Sequence, residues 1–347
     1  MKTAIVLGAG GFIGAQLSIW LANNGYHVRG VDLRKSKYSA YPHDFIIGDL
    51  KDPVVVSTVI PEDVDEVYQL AADMGGAGYI FSGENDAEIF SNNAFINLNV
   101  ANVALKKRVK KLFFSSSACV YAKEHQGKLL KNKLSENMAY PANPDSDYGW
   151  EKLMSERIYQ AYNRNFGLNI RIARFHNIYG PMSDFYTGRD KAPAATCRKV
   201  ICAKDHVEVW GSGRQLRTFL YIDDCLDAIS ALMRSDCVEP LNIGSEESIS
   251  INDLTKMVIE YSSKELSIKN IDGPIGVNAR SSDNTKINIA TGWKPRVSLE
   301  DGMKKMYDWV NNQITIMPFI YEDDGNGGNR RFINEKDQRG KYVTYYF

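Results

Sequence analysis

The stretch Thr3-Ala4-Ile5-Val6-Leu7-Gly8-Ala9-Gly10-Gly11-Phe12-Ile13-Gly14 decides the fold class. A short apolar run enters glycines spaced G-x-x-G-x-x-G at Gly8, Gly11 and Gly14, and an amphipathic stretch over about residues 12–24 follows. Glycine lets the backbone turn sharply and approach a pyrophosphate, whose charge is favoured by the open N–H groups of a helix start. A second run, 27–33, completes a β-α-β unit and carries Asp32 eighteen residues after Gly14, where an acid binds the hydroxyls of an adenosine ribose. Gly8, Gly11, Phe12, Ile13, Gly14 and Asp32 are therefore the expected dinucleotide cradle. Asp32 also repels a 2′-phosphate, which favours NAD over NADP. Asp49, in Ile47-Gly48-Asp49-Leu50 after the third apolar run, is expected at the adenine.

Outward from this unit, apolar runs at 44–47, 66–70, 111–121 and 169–175 alternate with helix-length segments. Such alternation predicts an α/β fold with a Rossmann-type doubly wound parallel sheet over residues 1–175. Beyond 176 the runs shorten (207–210, 218–222, 241–243) and turn signals such as Gly211-Ser212-Gly213 multiply. Residues 176–315 are read as a smaller C-terminal α/β substrate-binding region, some of whose segments can return to the first domain. Residues 316–347 form an extension without an assignable role, expected as a flexible polar tail from about Asp323-Asp324-Gly325-Asn326-Gly327-Gly328-Asn329 onward.

Composition narrows the function classes. Lysine plus arginine equals aspartate plus glutamate at 42 each, with no long block of one sign, so nucleic acid and acidic membranes are not the expected partners. The five cysteines (Cys119, Cys197, Cys202, Cys225, Cys237) are odd in number and scattered, which predicts reduced thiols and a cytoplasmic location. There is neither a secretory leader pattern at the N-terminus nor a run of eighteen apolar residues, so secretion and membrane spanning are disfavoured. Five histidines without paired Cys/His spacing give no metal site, His176 included.

Chemistry enters through Tyr148-Gly149-Trp150-Glu151-Lys152. A helix is expected over about 147–162, and a spacing of four puts the phenol and the ammonium on one face. A nearby ammonium favours phenolate, so Tyr148 can accept a hydroxyl proton near neutral pH while hydride leaves for a nicotinamide. Upstream, Ser115-Ser116-Ser117 ends an apolar strand that in a doubly wound sheet opens on the cofactor crevice. Cys119 is read on that same strand, two residues after Ser117 and facing the same side.

Together the glycine cluster, the serine run and the Tyr148/Lys152 pair resemble the extended short-chain dehydrogenase/reductase family of nucleotide-sugar enzymes, whose Ser-Tyr-Lys triad matches Ser117, Tyr148 and Lys152. Within it the chain is most similar to the branch that epimerises GDP-mannose, through Ala71-Ala72-Asp73-Met74-Gly75-Gly76, Ser116-Ser117-Ala118-Cys119, Arg174-Phe175-His176-Asn177 and Gly188-Arg189-Asp190-Lys191-Ala192-Pro193. The likeness covers about residues 3–313. It implies tightly bound NAD regenerated each turnover, transient oxidation of the sugar at C4, and Cys119 and Lys191 as the acid–base pair inverting C5 and C3, to GDP-L-galactose or GDP-L-gulose. It further implies Gly75, Ser117, Ala118, Cys119, Asn177, Asp190, Lys191, Ala192, Lys199, Gln215, Arg217 and Arg280 around the substrate. Arg217 and Arg280 are the expected diphosphate contacts, because a guanidinium fork donates paired hydrogen bonds. A homodimer built on two helices of each nucleotide domain is implied as well. Two rivals stay open at this point: a 4-epimerase or 4,6-dehydratase of another nucleotide sugar, and a non-catalytic NAD-binding sensor or scaffold.

Overall fold

In a computed structural model of the chain, residues 1–39, 41, 43–126, 133–323, 329–336 and 341–347 are described. The first half supplies β1 (Thr3–Leu7), β2 (His27–Asp32), β3 (Asp44–Ile47), β4 (Glu66–Gln69), β5 (Lys111–Ser117) and β6 (Ile170–Phe175). The second half adds β7 (Ile178–Tyr179), β8 (His206–Trp210), β9 (Leu216–Thr218), β10 (Leu220–Tyr221), β11 (Leu241–Ile243), β12 (Ser248–Ser250), β13 (Ser267–Ile271) and β14 (Ala279–Arg280). The helices are α1 (Phe12–Asn23), α2 (Pro53–Val59), α3 (Ala77–Ile80), α4 (Asp86–Lys106), α5 (Asp147–Phe166), α6 (Ala192–Cys202), α7 (Ile222–Arg234), α8 (Ile251–Ser262), α9 (Thr285–Thr291) and α10 (Leu299–Ile316).

Seven strands form one parallel sheet in the order β3-β2-β1-β4-β5-β6-β11. Its inner strands are buried on both sides because helices cover both, and β4 is buried at every position. Val56 of α2, Val100 and Val103 of α4 and Tyr159 of α5 pack on one face, against Ile5, Val67 and Phe114. On the other face Leu17 and Leu21 of α1 and Ile229 and Leu232 of α7 join residues of α6, α8 and α10 in a single continuous cluster. The smaller lobe thus shares its core with the sheet, and β11, drawn from the second half, completes that sheet beside β6. The chain order reverses between β1 and β4, so a crevice opens beyond the carboxyl ends of these strands.

Two expectations are corrected here. The fifth strand does not run on to residue 121: it stops at Ser117, and Ala118–Val120 form a 3₁₀ turn. The Ser117 hydroxyl accepts a hydrogen bond from the Cys119 N–H at 3.2 Å, which ends the ladder and starts the turn. Cys119 therefore sits on a turn rather than on the strand.

The expected flexible tail is instead a three-stranded antiparallel sheet of β15 (Ile320–Asp323), β16 (Asn329–Lys336) and β17 (Tyr342–Tyr346). Of the polar stretch that suggested flexibility, residues 324–328 lie outside the described residues. What folds the rest is alternation of period two: along 342–346 every second side chain is exposed, and Ile333 of β16 is buried in the cluster shared with α10. The sheet docks where two loops of the main body meet. Glu335 pairs with Lys37 of the loop after β2 and accepts from the Tyr186 hydroxyl at 2.8 Å, while Tyr345 and Phe347 lie on the Tyr186 ring.

Candidate active site

The crevice is a cavity of about 1080 Å³ that runs from the glycine loop to β8, β9 and β14. Its cofactor end follows from backbone geometry. Gly8 has φ +86°, and a Cβ at Gly14 would fall 2.2 Å from the Gly8 carbonyl oxygen, so the loop closes this tightly only with glycine there. The N–H groups of Phe12, Ile13 and Gly14 at the start of α1 have no acceptor among the described residues and face the crevice. Asp32 ends β2, accepts from the N–H of Gly10 at 2.9 Å and of Arg34 at 3.3 Å, and burial raises its pKa. Asp49 also lines the crevice, within ion-pair distance of Lys51. Anion-seeking N–H groups, a glycine cradle and a ribose-facing acid fit a dinucleotide.

Deeper in, Ser117, Cys119, Tyr148 and Lys152 converge because α5 packs its first turn on the 118–120 turn. Ser146 caps α5 through the Gly149 N–H, which places Tyr148 and Lys152 inward. Tyr148 is buried, and that burial, reinforced by Cys119, pushes the phenol well above its ordinary range despite a hydrogen bond with Ser117. Lys152 Nζ donates to the Ser115 carbonyl at 3.0 Å and lies 5.7 Å from the Tyr148 ring centroid, and burial lowers its pKa. The expected stabilisation of phenolate by the ammonium is thus outweighed by desolvation of both groups.

Lys191, which lines the same crevice, precedes α6 and, among the described residues, its ammonium has neither a hydrogen-bond acceptor nor an ion-pair partner. Burial lowers its pKa, with Cys119 acting against that shift. Gly75 and Gly76 bring the loop after β4 against this segment: the Gly76 N–H donates to the Arg189 carbonyl at 2.9 Å, and Arg189 pairs with Asp73 at 3.0 Å. Ala118 and Ala192 line the crevice beside Cys119 and Lys191. Asp190 lines it too, but its carboxylate, kept up in pKa by burial, pairs with Arg198 at 3.5 Å.

At the far end, Arg217 donates to the carbonyls of Leu216, Ile275 and Val277 and pairs with no carboxylate among the described residues. Burial lowers its pKa to about 10, so it is a desolvated cation open to an anionic ligand. Lys199 donates to the Glu208 carbonyl and Gln215 to the Trp210 carbonyl, both on the crevice wall, and Asn177, at φ +46°, donates to the Thr218 carbonyl. Arg280, the other residue expected at a diphosphate, also lines the crevice. Its guanidinium is buried against Asp145, Gln126 and the Cys119 sulfur. The sequence reading passed over Asp145 and Gln126, because a loop acid whose partner stands 135 positions away leaves no local signal. Gly149 was passed over as well, although a glycine in the first turn of a helix is itself a sign of close approach. His176 is fully buried, with one ring nitrogen 2.9 Å from Asn242 Oδ1, and burial lowers its pKa to about 3, so it braces the site as a neutral side chain.

A seven-stranded doubly wound sheet with a Ser-Tyr-Lys cluster at its crevice defines an enzyme of the dehydrogenase/reductase type. Residues 4–244 match the model of the NAD dependent epimerase/dehydratase family, and the chain belongs to that family, whose cofactor is NAD. It is 41% identical over 313 residues to GDP-mannose 3,5-epimerase of Arabidopsis thaliana, covering 89% of this chain and 82% of that one. It is 31% identical over 254 residues to GDP-L-fucose synthase 1 of the same plant, covering 72% and 78%. Among solved structures, UDP-glucose 4-epimerase of Thermotoga maritima superposes with a TM-score of 0.80 at 26% identity, over 90% of this chain and all of that one. UDP-glucuronic acid 4-epimerase of Bacillus cereus, in complex with UDP-glucuronic acid and NAD, gives 0.78 at 27%, with the same coverage.

Proposed function

We propose that the protein is an isomerase that converts GDP-D-mannose to GDP-L-galactose, and to GDP-L-gulose where only C5 inverts. The observation that carries this reading is the meeting of two separate proton-transfer sets in one crevice. Ser117 and Tyr148, the first set, and Cys119 and Lys191, the second, all line it, and among the described residues Lys191 has no hydrogen-bond or ion-pair partner. Oxidation at C4 needs only the first set. Inversion at C3 and C5 needs an acid and a base on opposite faces of the ring, which the second set supplies.

Gly8, Gly11, Phe12, Ile13, Gly14 and Asp32, with Asp49 toward the adenine, would hold NAD, which when bound would supply a reversible hydride acceptor for C4. Tyr148 takes the C4 hydroxyl proton and later restores it, with Ser117 orienting that oxygen and Lys152 fixing the pocket floor through the Ser115 carbonyl. With C4 a ketone, the protons at C5 and C3 become acidic, and Cys119 and Lys191 remove and replace them from the two faces. Gly75, Ala118, Asn177, Asp190, Ala192, Lys199 and Gln215 shape the sugar and nucleotide pocket, while Arg217 holds the diphosphate.

The expected assembly is a homodimer joined through α4 and α5, which expose Phe95, Leu98, Trp150 and Phe166. No helix among the described residues is long and apolar enough to cross a membrane, and all five cysteines are free, which supports a cytoplasmic site of action. Proton NMR of the purified protein with GDP-α-D-mannose in deuterated water, without added cofactor, tests the reading. Deuterium at C5, with or without C3, is the expected result. A folded, NAD-bearing protein that exchanges neither proton would overturn the substrate assignment.

A further inference from the structure

The neighbourhood of Cys119 contains an arrangement that the proposed reaction leaves unexplained. Arg280, on β14, donates from Nη1 to Cys119 Sγ at 3.3 Å, from Nε to Gln126 Oε1 at 2.6 Å and from Nη2 to Asp145 Oδ2 at 2.5 Å. The Arg280 and Asp145 side chains are only 8% and 6% exposed, so this ion pair lies out of water and its geometry is fixed rather than averaged over rotamers. Gln126 is held in turn, donating from Nε2 to the Tyr121 carbonyl at 2.8 Å, with its own carbonyl accepting from the Ala279 N–H at 3.1 Å. Asp145 and Gln126 belong to the connection between β5 and α5, pinned by the bridge between Ala122 and Pro144 and by the Lys123 N–H on the Asn143 carbonyl. A guanidinium gripped on two edges has one edge left, and that edge rests on the sulfur.

We propose that Asp145 is a positioning residue that, with Gln126, clamps the Arg280 guanidinium onto Cys119 and so sets the proton affinity of the thiol. The assignment rests on the reading of Cys119 as the group that exchanges a proton with the sugar. A thiol is useful there only if thiolate and thiol are both accessible near neutral pH, and a cation on the sulfur is what brings the thiolate within reach. Other charged or titratable groups also face the sulfur: Lys152 and Tyr148 from α5, Lys191 from the start of α6 and Arg217 from β9. Arg280 is the cation whose hydrogen bond reaches the sulfur itself. Without the clamp, the long arginine side chain is no longer fixed on the sulfur.

The test is the pH dependence of iodoacetamide alkylation at Cys119 in the NAD-bearing protein without sugar, followed on the Cys119 peptide by mass spectrometry. In Asp145→Ala the midpoint is expected to rise by about one pH unit, a roughly tenfold slower alkylation at neutral pH. Asp145→Asn, which keeps an acceptor for Nη2, is expected to restore the wild-type midpoint or lower it. With substrate, Asp145→Ala should lose kcat while KM stays within about threefold, because the residue acts on the thiol and not on the diphosphate. A wild-type alkylation profile in folded Asp145→Ala overturns the proposal. If that variant does not fold, Gln126→Met removes the other grip and must raise the midpoint, an unshifted one again being fatal. Since the alkylation arm contains no sugar, a shifted midpoint with no exchange on GDP-mannose would keep the clamp and reject only the substrate.

Discussion

Gly149 packs directly on the Cys119 carbonyl: a Cβ built at position 149 falls 2.2 Å from that oxygen. This contact sets how closely the first turn of α5 approaches the 118–120 turn, and therefore how Tyr148 stands to Cys119. In Gly149→Ala the helix must retreat. A loss of about 1–3 kcal/mol in urea unfolding is expected, together with a fall in kcat larger than the change in NAD affinity.

Tyr148→Phe removes the phenol proposed to move the C4 proton while keeping the ring that fills the pocket. Bound NAD should remain in place through gel filtration, and its reduction by GDP-mannose, read as nicotinamide absorbance, should disappear. In the wild-type protein the phenol is held above its ordinary range by burial, so the phenolate fraction grows with pH. The rate of nicotinamide reduction in a single turnover should accordingly climb across the neutral range.

Cys119→Ala separates carbon chemistry from hydride chemistry. Deuterium entry at C5 is expected to fall by roughly 10²–10⁴-fold, the span of one positioned acid or base. Nicotinamide reduction by the sugar should survive, since Ser117, Tyr148 and Lys152 remain. Loss of both readouts together would show that Cys119 is needed for the fold of the turn instead.

His176 gives a pH dependence of stability. Its imidazole is neutral and buried, with a pKa lowered from 6.5 to about 3. The unfolded chain takes up this proton as pH falls below about 6.5 while the folded one does not, so the contribution is complete above that value and is lost toward 3. Stability should drop by roughly 1 kcal/mol per pH unit through that window from this residue. His176→Gln should flatten the acid limb when urea midpoints are compared at several pH values.

Ile333→Ala tests whether the C-terminal sheet is anchored by its buried face. Ile333 is 4% exposed within the core cluster shared with α10. Truncation should cost about 2–5 kcal/mol and open residues 318–347 to protease nicking ahead of the main body.

How much of this was legible follows from where each signal lives. The dinucleotide half could be read because its constraints are local: Gly8, Gly11 and Gly14 sit on one turn, and Asp32 lies one strand later. Tyr148 and Lys152 share a helix face by arithmetic alone. The position of Cys119 was misjudged because the apolar run continues through Ala118-Cys119-Val120, whereas the strand ends on a hydrogen bond from Cys119 N–H to the Ser117 hydroxyl. The C-terminal sheet was hidden by its polarity, since every second side chain of β17 is exposed and Tyr345 between them packs on Tyr186. The clamp on Arg280 was out of reach, being a contact among residues 119, 126, 145 and 280 that only the fold assembles.

Lys152, Lys191, Lys199 and Arg217 all line the crevice, and among the described residues none of them forms an ion pair. Yet the chain as a whole carries equal numbers of acidic and basic side chains. With its acids counted as well, the crevice lining holds eleven lysines and arginines against seven aspartates and glutamates, so the balancing negative charge lies elsewhere and this neutral protein is electrically lopsided, with its positive end turned inward. A doubly charged sugar nucleotide approaching from solution meets a field focused by low-dielectric walls rather than a neutral surface. Its capture should therefore slow as salt is added, even though the net charge offers no reason for it.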